Sequence, residues 1–351
     1  MLPLDKVHHP KPGWYRGDFH LHTTASDGHY SPSTLARLAK AEGLDFLAIT
    51  DHNTIASFGQ FGDDSDLLVI PGIEITLAEG HWNVFGIGNQ PDWLAEVCVW
   101  NKPLSQKDLS CSITDFMAQI AAQGMLNSIN HPLLRPWEWQ DGTVQLQYMH
   151  CLEIWNDPDW PDNAQGNPAA VQMWTRWLDA GYRITAIGGS DFHFLAGEVA
   201  GYPGERPGRP TTYVYAQELS SKAILEALRG GHAYVSMGPQ VNLMASCAGK
   251  IGTIGTDFGA VQGKLDFKIS IAGAPVGACA KLIRNGVDLG LFPLQEGQST
   301  FELAEVISDQ PTWYRLDVED SAGEMLLVTN PVYTGPRPLT GSETFVDLMF
   351  G

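Results

Sequence analysis

The sequence predicts an α/β fold in two parts, a closed or distorted β/α barrel in residues 1–238 and a small antiparallel β-sandwich in residues 239–351. Two observations predict the barrel: short runs that are apolar on both faces, and helix-like segments that alternate with them. The sandwich is predicted because the later segments are short, partly alternating and separated by turn residues. Apolar residues make up 44% of the chain and charged residues 17%, a balance that favours a folded core over disorder.

The barrel strands are predicted from eight apolar runs that are bounded by glycine or polar turns. They cover residues 17–22, 45–52, 67–76, 81–88, 125–132, 151–156, 184–193 and 211–216. Helix-capping residues and apolar stripes predict helices between several of them, at 31–43, 112–124, 167–181 and 220–231. Repeated β-then-α units predict a parallel sheet, most simply one that closes into a barrel.

The second part contains a clear hairpin signal. Asn285-Gly286 stands between strand-like segments and is typical of a two-residue β-turn. In the first part, residues 194–210 form the longest irregular stretch and are rich in glycine and proline.

The charge balance limits the partners that this chain binds. It has 40 acidic and 21 basic side chains, a formal net charge of −19. Such a surface repels nucleic acid polymers and anionic membranes, so we expect neither as a partner. A small anionic substrate remains compatible, because bound metal ions reverse the field locally. An oligomer is left open by the sequence.

The sequence also predicts a cytoplasmic location. Its five cysteines are odd in number and contain no C-x-x-C pair, which is typical of reduced thiols. The first 17 residues lack the apolar core of a signal peptide, and no apolar run reaches the roughly 20 residues that span a bilayer.

Histidines and carboxylates recur where the predicted strands end. His20 and His22 form an H-x-H pair whose imidazoles are expected on one side, a two-point chelate for a first-row metal ion. Similar residues follow or lie in later strands: Asp51, His52, Glu74, His81, His131, Asp191 and His193. Strand ends on one face of a β/α barrel converge on one pocket, so we expect these side chains to meet there.

Each residue alone also has a plain structural interpretation. A single histidine is commonly a packed polar residue, and Asp27 or Asp51 can cap a turn. Glu74 is harder to explain this way, because a carboxylate between Ile73 and Ile75 needs a cation or hydrogen-bond donors. Recurrence at six strand segments favours a metal centre. The remaining histidines are interpreted as surface, loop or packing residues: His8, His9, His29, His150 and His232.

The same motifs resemble a known family. GDFHLHTTASDG, AITDHNT, GIEIT, NHP and GGSDFH are similar, in order and residue type, to the motifs of the PHP (polymerase and histidinol phosphatase) family over residues 14–238. The resemblance implies a distorted seven-stranded, TIM-like β/α barrel and two or three divalent metal ions such as Zn, Mn or Fe. WYRGDFHLHT and the tail ending LLVTNPVY also resemble a branch that contains carbamate and aryl-ester hydrolases.

Position by position, the resemblance implies three metal sites, of which the first two share Glu74. The first would be held by His20, His22, Glu74 and Asp191. The second would be held by Glu74, His81 and His131. The third would be held by Asp27, His52 and His193, and many relatives have a histidine where this chain has Asp27.

These residues suggest a metal-dependent phosphoesterase that hydrolyses a small phosphate monoester, such as a nucleotide, through a metal-bound hydroxide. Asp191 is the candidate acceptor of the hydroxide proton. Asp51 is interpreted either as a residue that orients the His52 imidazole or as a turn carboxylate. Arg135 is the first candidate to bind the phosphate, followed by Arg206 and Arg209.

Two other functions stay open. A carboxylester or carbamate hydrolase would use the same metals on an acyl carbon, and a non-catalytic binding module would use the β-sandwich alone. The tryptophans between residues 137 and 177 allow an aromatic or nucleoside-bearing substrate, although core packing explains most of them equally well.

Overall fold

The computed structural model describes residues 3–62, 66–99, 102–338 and 340–349, which include every candidate site residue. Strands and helices are interspersed, so the mixed α/β class is confirmed. Residues 1 and 2 of the N-terminal segment considered for a signal peptide lie outside the described residues. Every helix in the described part is too short or too polar to cross a membrane.

Nine strands form the part of the sheet that carries the candidate site. They are β1 (Gly13–Asp18), β2 (Phe46–Ile49), β3 (Leu68–Leu77), β4 (Gly80–Phe85), β5 (Leu126–Ile129), β6 (Cys151–Asn156), β7 (Thr185–Gly189), β8 (Thr211–Ala216) and β9 (Ala233–Ser236). Their order in the sheet is β9-β8-β1-β2-β3-β4-β5-β6-β7. Each of the eight predicted runs therefore overlaps a strand, although the run 17–22 shares only Gly17 and Asp18 with β1 and several other strands are shorter than the run.

The expectation of a parallel sheet is wrong for β8, which pairs antiparallel with β1, and for β4. Strand β4 pairs antiparallel with both β3 and β5, whereas β1-β2-β3 and β5-β6-β7 are parallel. The physical reason is the two-residue connection between Leu77 and Gly80, which is too short for a helical crossover and forms a hairpin instead. The hairpin places His81 opposite Thr76, two residues from Glu74.

The first and seventh strands approach each other at their carboxyl ends. Leu21 pairs with Phe192 in an isolated parallel bridge, and the His22 N–H donates to the Phe192 carbonyl at 3.0 Å. On the other side, the Thr212 hydroxyl of β8 donates to the Gly188 carbonyl of β7 at 2.8 Å. These contacts bring the loops after β1 and β7 side by side.

In the described part of the chain, five α-helices lie between the strands. They are α1 (Pro32–Ala41), α2 (Leu94–Val97), α3 (Ile113–Ala122), α4 (Asn163–Asp179) and α5 (Ser221–Arg229). Ser31 and Ser112 cap α1 and α3 as expected, each accepting a backbone N–H three residues on.

Helix α4 begins at Asn163 rather than at the predicted Asn167. Pro168 therefore lies inside the helix, where its missing N–H was expected to mark the start. The additional turn is held by tertiary contacts: the Asn167 amide donates to the Asn156 carbonyl at 2.7 Å, and the Asn163 amide donates to the Asn156 side chain at 3.0 Å.

The C-terminal residues that the structure describes form nine further strands. They are β10 (Gln240–Cys247), β11 (Lys250–Gly252), β12 (Gly263–Ala272), β13 (Cys279–Arg284), β14 (Val287–Pro293), β15 (Gln298–Ile307), β16 (Thr312–Glu319), β17 (Met325–Thr329) and β18 (Val332–Thr334). The predicted hairpin turn is confirmed between β13 and β14, with positive φ at Asn285 (45°) and Gly286 (73°).

The C-terminal strands belong to two sheets that enclose a common apolar core. One sheet has the order β11-β10-β12-β15, and the other has the order β14-β13-β16-β17. Leu243 and Phe267 from the first sheet pack in one buried cluster with Leu282 and Leu316 from the second. The second sheet does not end at β17, because β17 pairs with β9 and so continues the sheet of the first part. With β18, which pairs with β16, this sheet has 14 strands among the described residues.

Candidate metal centre

Nine side chains that the sequence singles out for metal binding gather at one end of the sheet. They reach this place from strand ends, the loop after β1 and the β3–β4 hairpin: His20, His22, Asp27, His52, Glu74, His81, His131, Asp191 and His193. Most of their atoms are hidden from solvent, and His20, His22 and Glu74 are fully buried. Such a group of buried ionisable side chains requires mutual pairing or a cation.

Glu74 lies at the centre of the group. Its Oε2 is 2.7 Å from His52 Nδ1, and its Oε1 is 3.2 Å from His81 Nδ1. The same carboxylate lies 3.3 Å from His20 and 3.6 Å from His131. A single buried carboxylate is therefore positioned to bridge ions on two sides.

Asp191 lies close to both histidines of the H-x-H pair. Its Oδ1 lies 3.0 Å from His22 Nε2 and 3.2 Å from His20 Nε2. Since Glu74 also reaches both rings, the two imidazoles face the same side of the chain, as the sequence predicted. They do so from the segment after β1 rather than from within the strand, which ends at Asp18.

Asp27 forms the third part of the group. Its carboxylate lies 3.4 Å from His193, 3.6 Å from His52 and 3.9 Å from His22. The rings of His22 and His193 stack with centroids 4.2 Å apart. Asp27 is the most exposed of the nine, with 44% of its side chain accessible.

The nine residues can be grouped into sets whose ligand atoms all lie within 4.8 Å of one another. The sets are His22-Asp27-His52-His193, His20-His131-Asp191, His20-His22-Glu74 and His52-Glu74-His81. These sets overlap with the three sites implied by the family resemblance. They differ in joining His22 to the Asp27 set and His131 to Asp191.

The charges within the group compensate one another. Although burial opposes ionisation, the nearby imidazoles of His52, His20 and His81 hold the pKa of Glu74 well below its usual range. Burial also opposes protonation of His20, but Asp191 and Glu153 raise its pKa well above the usual value. Burial, together with the neighbouring His193 and His52, lowers the pKa of His22 to about 4. A neutral imidazole such as His22 is the form that binds a metal ion.

The donor set fits divalent metal ions. His20 Nε2 and His22 Nδ1 are buried yet have no hydrogen-bond partner among the described residues. A buried polar atom is normally satisfied, and these nitrogens point into a group of carboxylates. Mixed imidazole and carboxylate ligands suit Zn, Mn or Fe, so bound cations would satisfy these atoms.

Two of the candidate ligands have unusual backbone conformations. His131 has φ of 28° and Asp191 has φ of 53°, in the left-handed region that non-glycine residues seldom adopt. Such strain persists where the surrounding structure requires it, commonly at functional sites.

Glu153 of β6 also belongs to the site. The sequence did not predict which residues its carboxylate contacts. One oxygen lies 3.0 Å from His20 Nδ1, and the other accepts the His131 N–H at 2.7 Å. Asn156 donates to the same carboxylate at 3.2 Å. In the sequence, the one signal for this contact is that a glutamate stands within the apolar run CLEIWN.

The interpretation of Asp51 as a residue that orients an imidazole is wrong. Its carboxylate accepts the Thr23 N–H at 2.7 Å, the Thr23 hydroxyl at 2.9 Å and the Ser26 hydroxyl at 2.9 Å. Asp51 therefore holds the loop that carries Asp27, which is the turn role that the sequence left open.

The proposed phosphate-binding arginines lie outside the cavity at the metal centre. Arg135 is exposed, Arg206 pairs with Glu42 at 2.7 Å, and Arg209 pairs with Asp159 at 2.8 Å. The expectation for Arg135 is wrong because the chain after His131 turns its side chain to solvent. In contrast, His29, which was interpreted as a surface residue, lines the cavity.

The cavity has a volume of about 460 Å³ and combines metal-binding, acidic and aromatic walls. Burial and the charge of Glu205 raise the pKa of Asp157 to about 8. Burial raises the pKa of Glu205 to about 7, and this carboxylate accepts the backbone N–H groups of His193 and Phe194. No lysine or arginine is present among the described residues that line the cavity.

Part of the chain matches a known protein family. The family model of the PHP domain matches residues 18–131, which contain seven of the nine candidate ligands. The segment begins at the end of β1 and stops at His131, before Asp191 and His193.

Two 5′-3′ exoribonucleases are similar to short segments of this chain. A 5′-3′ exoribonuclease of Haemophilus influenzae is 38% identical over 73 residues, 20% of this chain and 26% of that protein. The 5′-3′ exoribonuclease Rnm of Salmonella typhimurium is 43% identical over 70 residues, 18% of this chain and 24% of that protein. This chain thus spans about a quarter of the length of these relatives.

A solved structure matches nearly the whole chain. It is a two-domain protein from Bacteroides vulgatus that contains a predicted PHP-like metal-dependent phosphoesterase. The match has a TM-score of 0.50 and 19% sequence identity, and it covers 94% of this chain and 99% of the other. At this identity the comparison shows a shared fold.

Proposed function

We propose that this chain, whose residues 18–131 match the PHP domain, is a metal-dependent phosphoesterase that hydrolyses a small phosphate monoester. One observation carries the proposal: nine imidazole and carboxylate side chains, with Glu74 at their centre, gather at the base of an open cavity. The net charge of −19 supports a small substrate rather than a nucleic acid polymer.

The chain would hold two or three divalent ions, with Zn, Mn and Fe as candidates. His20, His22, Glu74 and Asp191 would hold the first ion. Glu74, His81 and His131 would hold the second ion. Asp27, His52 and His193 would hold the third ion, with His22 beside them. Bound ions would supply Lewis acidity and lower the pKa of water in the site.

Asp191 is proposed to accept the proton of the attacking water. The His20 charge and the His22 hydrogen bond hold the pKa of its buried carboxyl well below the usual range, although burial opposes this. The carboxylate is therefore ionised at neutral pH, so its oxygens can bind an ion or accept a hydrogen bond. Asn156 lies 3.4 Å from Oδ2 and fixes the direction of that oxygen.

We further propose that residues 1–238 form a distorted seven-stranded, TIM-like β/α barrel and that residues 239–351 form a β-sandwich domain. The order β1 to β7 and the bridge between Leu21 and Phe192 support the barrel. Two sheets with a common core support the sandwich.

A second candidate function is the hydrolysis of a carboxylester or carbamate. The observation that favours it is the lack of lysine and arginine among the described residues lining the cavity. A phosphate dianion usually receives charge-assisted hydrogen bonds from such residues, whereas a neutral ester does not need them. The bound ions would have to neutralise a phosphate substrate alone.

The test compares two substrates on protein reconstituted with Zn, Mn or Fe: p-nitrophenyl phosphate and an aryl N-methylcarbamate. We expect phosphate turnover that a chelator abolishes and added metal restores. Asp191→Asn should lower kcat by at least about 100-fold, the range for a lost general base. Asp266→Asn, on the exposed face of β12, is the matched control and should leave kcat unchanged.

Two results would contradict the phosphoesterase, and a third would contradict the role of Asp191. Turnover of the carbamate alone would establish acyl chemistry. Activity on neither substrate, with metals bound, would remove both assignments. Full phosphate turnover in Asp191→Asn would exclude Asp191 as the proton acceptor.

A further inference from the structure

Four aromatic residues form a continuous wall of the cavity beside the metal centre. Trp137, Trp160, Tyr202 and Phe194, hereafter the aromatic wall, all line the cavity. Ring centroids are 5.6 Å apart between Trp137 and Trp160, 5.3 Å between Trp160 and Tyr202, and 6.0 Å between Tyr202 and Phe194. The wall comes from three separate segments, those after β5, β6 and β7.

The rings of the wall are not accounted for by core packing. Trp137 is 41% exposed and Tyr202 is 47% exposed, while Trp174 and Trp177 on α4 are fully buried in the main core. Large aromatic rings left open to water keep an unfavourable apolar surface, which a ligand can cover. The exposed faces of these rings lie on the same cavity as His131 and His193.

The other residues that line the cavity limit the chemical class of ligand that can bind there. The described residues that line the cavity include Asp157 and Glu205 but no lysine or arginine. Binding beyond the metal centre therefore depends on stacking and apolar contact rather than on charge. A planar ring, such as a nucleobase, is the group that stacks on aromatic side chains.

We propose that the aromatic wall is a subsite for a planar nucleobase, so that the substrate is a base-bearing monophosphate of mononucleotide size. This inference rests on the proposed phosphoesterase function, because the phosphate would occupy the metal centre while the base covers the wall. The described residues that line the cavity include no lysine or arginine that could bind further phosphates, which disfavours a longer oligonucleotide.

The experiment compares kcat/KM for adenosine 5′-monophosphate and for ribose 5-phosphate, which lacks the base. We expect a preference for the nucleotide that falls roughly tenfold in Trp160→Ala and in Tyr202→Ala, the scale of one lost stacking contact. Phe292→Ala is the matched control, since this half-buried ring stacks on Phe301 at 4.6 Å in the C-terminal part and does not line the cavity. It should leave the preference unchanged.

The result that overturns the subsite is equal kcat/KM for the two substrates, or a preference that survives both aromatic substitutions. In that case the phosphoesterase stands and the subsite falls. A 5′-phosphorylated trinucleotide hydrolysed with a higher kcat/KM than the mononucleotide would overturn the limit on size.

A binding measurement separates the subsite from the catalytic proposal. Calorimetry with adenosine, which has no phosphate, should detect binding to the wild-type protein and weaker binding to Trp160→Ala. Adenosine binding without turnover of any phosphate monoester would retain the subsite and remove the phosphoesterase. Absence of adenosine binding, together with equal turnover of the two phosphates, would overturn the subsite alone.

Discussion

Glu153 connects two of the proposed metal ligands through one carboxylate. It contacts the ring of His20 with one oxygen and the backbone N–H of His131 with the other. A carboxylate on the far nitrogen of a ligating imidazole fixes the direction of the ring and increases its basicity. Glu153 therefore acts on the metal centre through His20 rather than by touching substrate.

We expect Glu153→Gln to weaken metal binding about 10- to 100-fold, the usual effect of losing such a partner. The amide keeps the volume but replaces one acceptor oxygen by a donor, so either His20 or His131 loses its partner. Metal affinity is measured by competition with a chelator and metal content by elemental analysis. Glu302→Gln, whose side chain is 71% exposed, is the control. Unchanged affinity in Glu153→Gln would exclude the positioning role.

Asp157 gives the metal-free protein a pH-dependent stability. Burial and Glu205 raise its pKa to about 8, whereas the unfolded chain titrates near the ordinary value of 3.8. Between these two values the folded state keeps a proton that the unfolded state releases. Rising pH therefore favours unfolding across this range, and the full cost is present above pH 8.

Asp157→Asn should remove this cost, because the amide stays neutral and can still accept the Asp159 N–H. In chelator, the variant should match the wild type at pH 4 and exceed its unfolding free energy by about 1 kcal/mol or more at pH 8.5. Urea denaturation at both pH values measures the difference. An equal difference at both pH values would show that titration of Asp157 is not its cause.

The sequence predicts single residues well where a motif constrains them. His20, His22 and Glu74 could be selected because polar ligand types stand inside or beside apolar strands, and the fold brings them together. Their role as ligands stays a prediction. Arg135 and Asp51 were misjudged because the direction of a side chain in a loop depends on tertiary contacts, such as those of Asp51 with Thr23 and Ser26.

At the scale of elements, the loop after β1 determines the position of Asp27. Asp51 holds one side of the loop through Thr23 and Ser26. Gly28 lies against its other side, where an added Cβ would come within 2.4 Å of the His22 carbonyl oxygen. The loop is thus packed against the backbone of a candidate ligand and has no room for a side chain.

Gly28→Ala should displace this loop and reduce the bound metal by about one ion per chain, because Asp27 belongs to the third proposed site. The other sites depend on Glu74 and should keep their ions. Metal stoichiometry by elemental analysis, with circular dichroism as the folding check, measures the effect. Gly13→Ala is the control, since its added Cβ meets no atom within 4 Å. Full stoichiometry in Gly28→Ala would contradict this account of the third site.

The residues at which helices and turns begin were predictable where short-range sequence signals determine them. Ser31, Ser112 and Asn285-Gly286 mark two helix starts and a hairpin turn through short-range hydrogen bonding and backbone conformation. The start of α4 could not be predicted, because Asn163 and Asn167 are held by Asn156 on a different element. The antiparallel direction of β4 was not predicted. Strand direction depends on the length of the connection, and the pattern of apolar runs does not show it.

At the scale of the whole molecule, the two proposed domains share both a sheet and a core. Strand β17 pairs with β9, and Trp313 of β16 packs in the same buried cluster as Trp174 and Trp177. Trp313 also donates to Asp179 at 2.9 Å. The change of sequence pattern near residue 238 indicated two parts but could not show this continuity, because strand partners far apart in sequence leave no local signal.

The buried side chain of Asn330 forms hydrogen bonds between the two proposed domains. Its side chain accepts the Ala186 N–H at 2.8 Å and donates to the carbonyls of Ala186 and Ala233, each at 2.9 Å. These groups belong to β7 and β9, whereas Asn330 follows β17 in the C-terminal part. The side chain is 2% exposed, so water cannot replace the lost hydrogen bonds easily.

Asn330→Ala should therefore lower the unfolding free energy by about 1–3 kcal/mol, the cost of leaving a buried backbone group unpaired. Because sheet and core are continuous, we expect calorimetry of the wild-type protein to show one transition and the variant to shift it as a whole. Asn242→Ala on the exposed face of β10 is the control and should change little. Two resolved transitions, of which the variant moves only one, would show that residues 1–238 and 239–351 unfold independently despite the shared strand pairing.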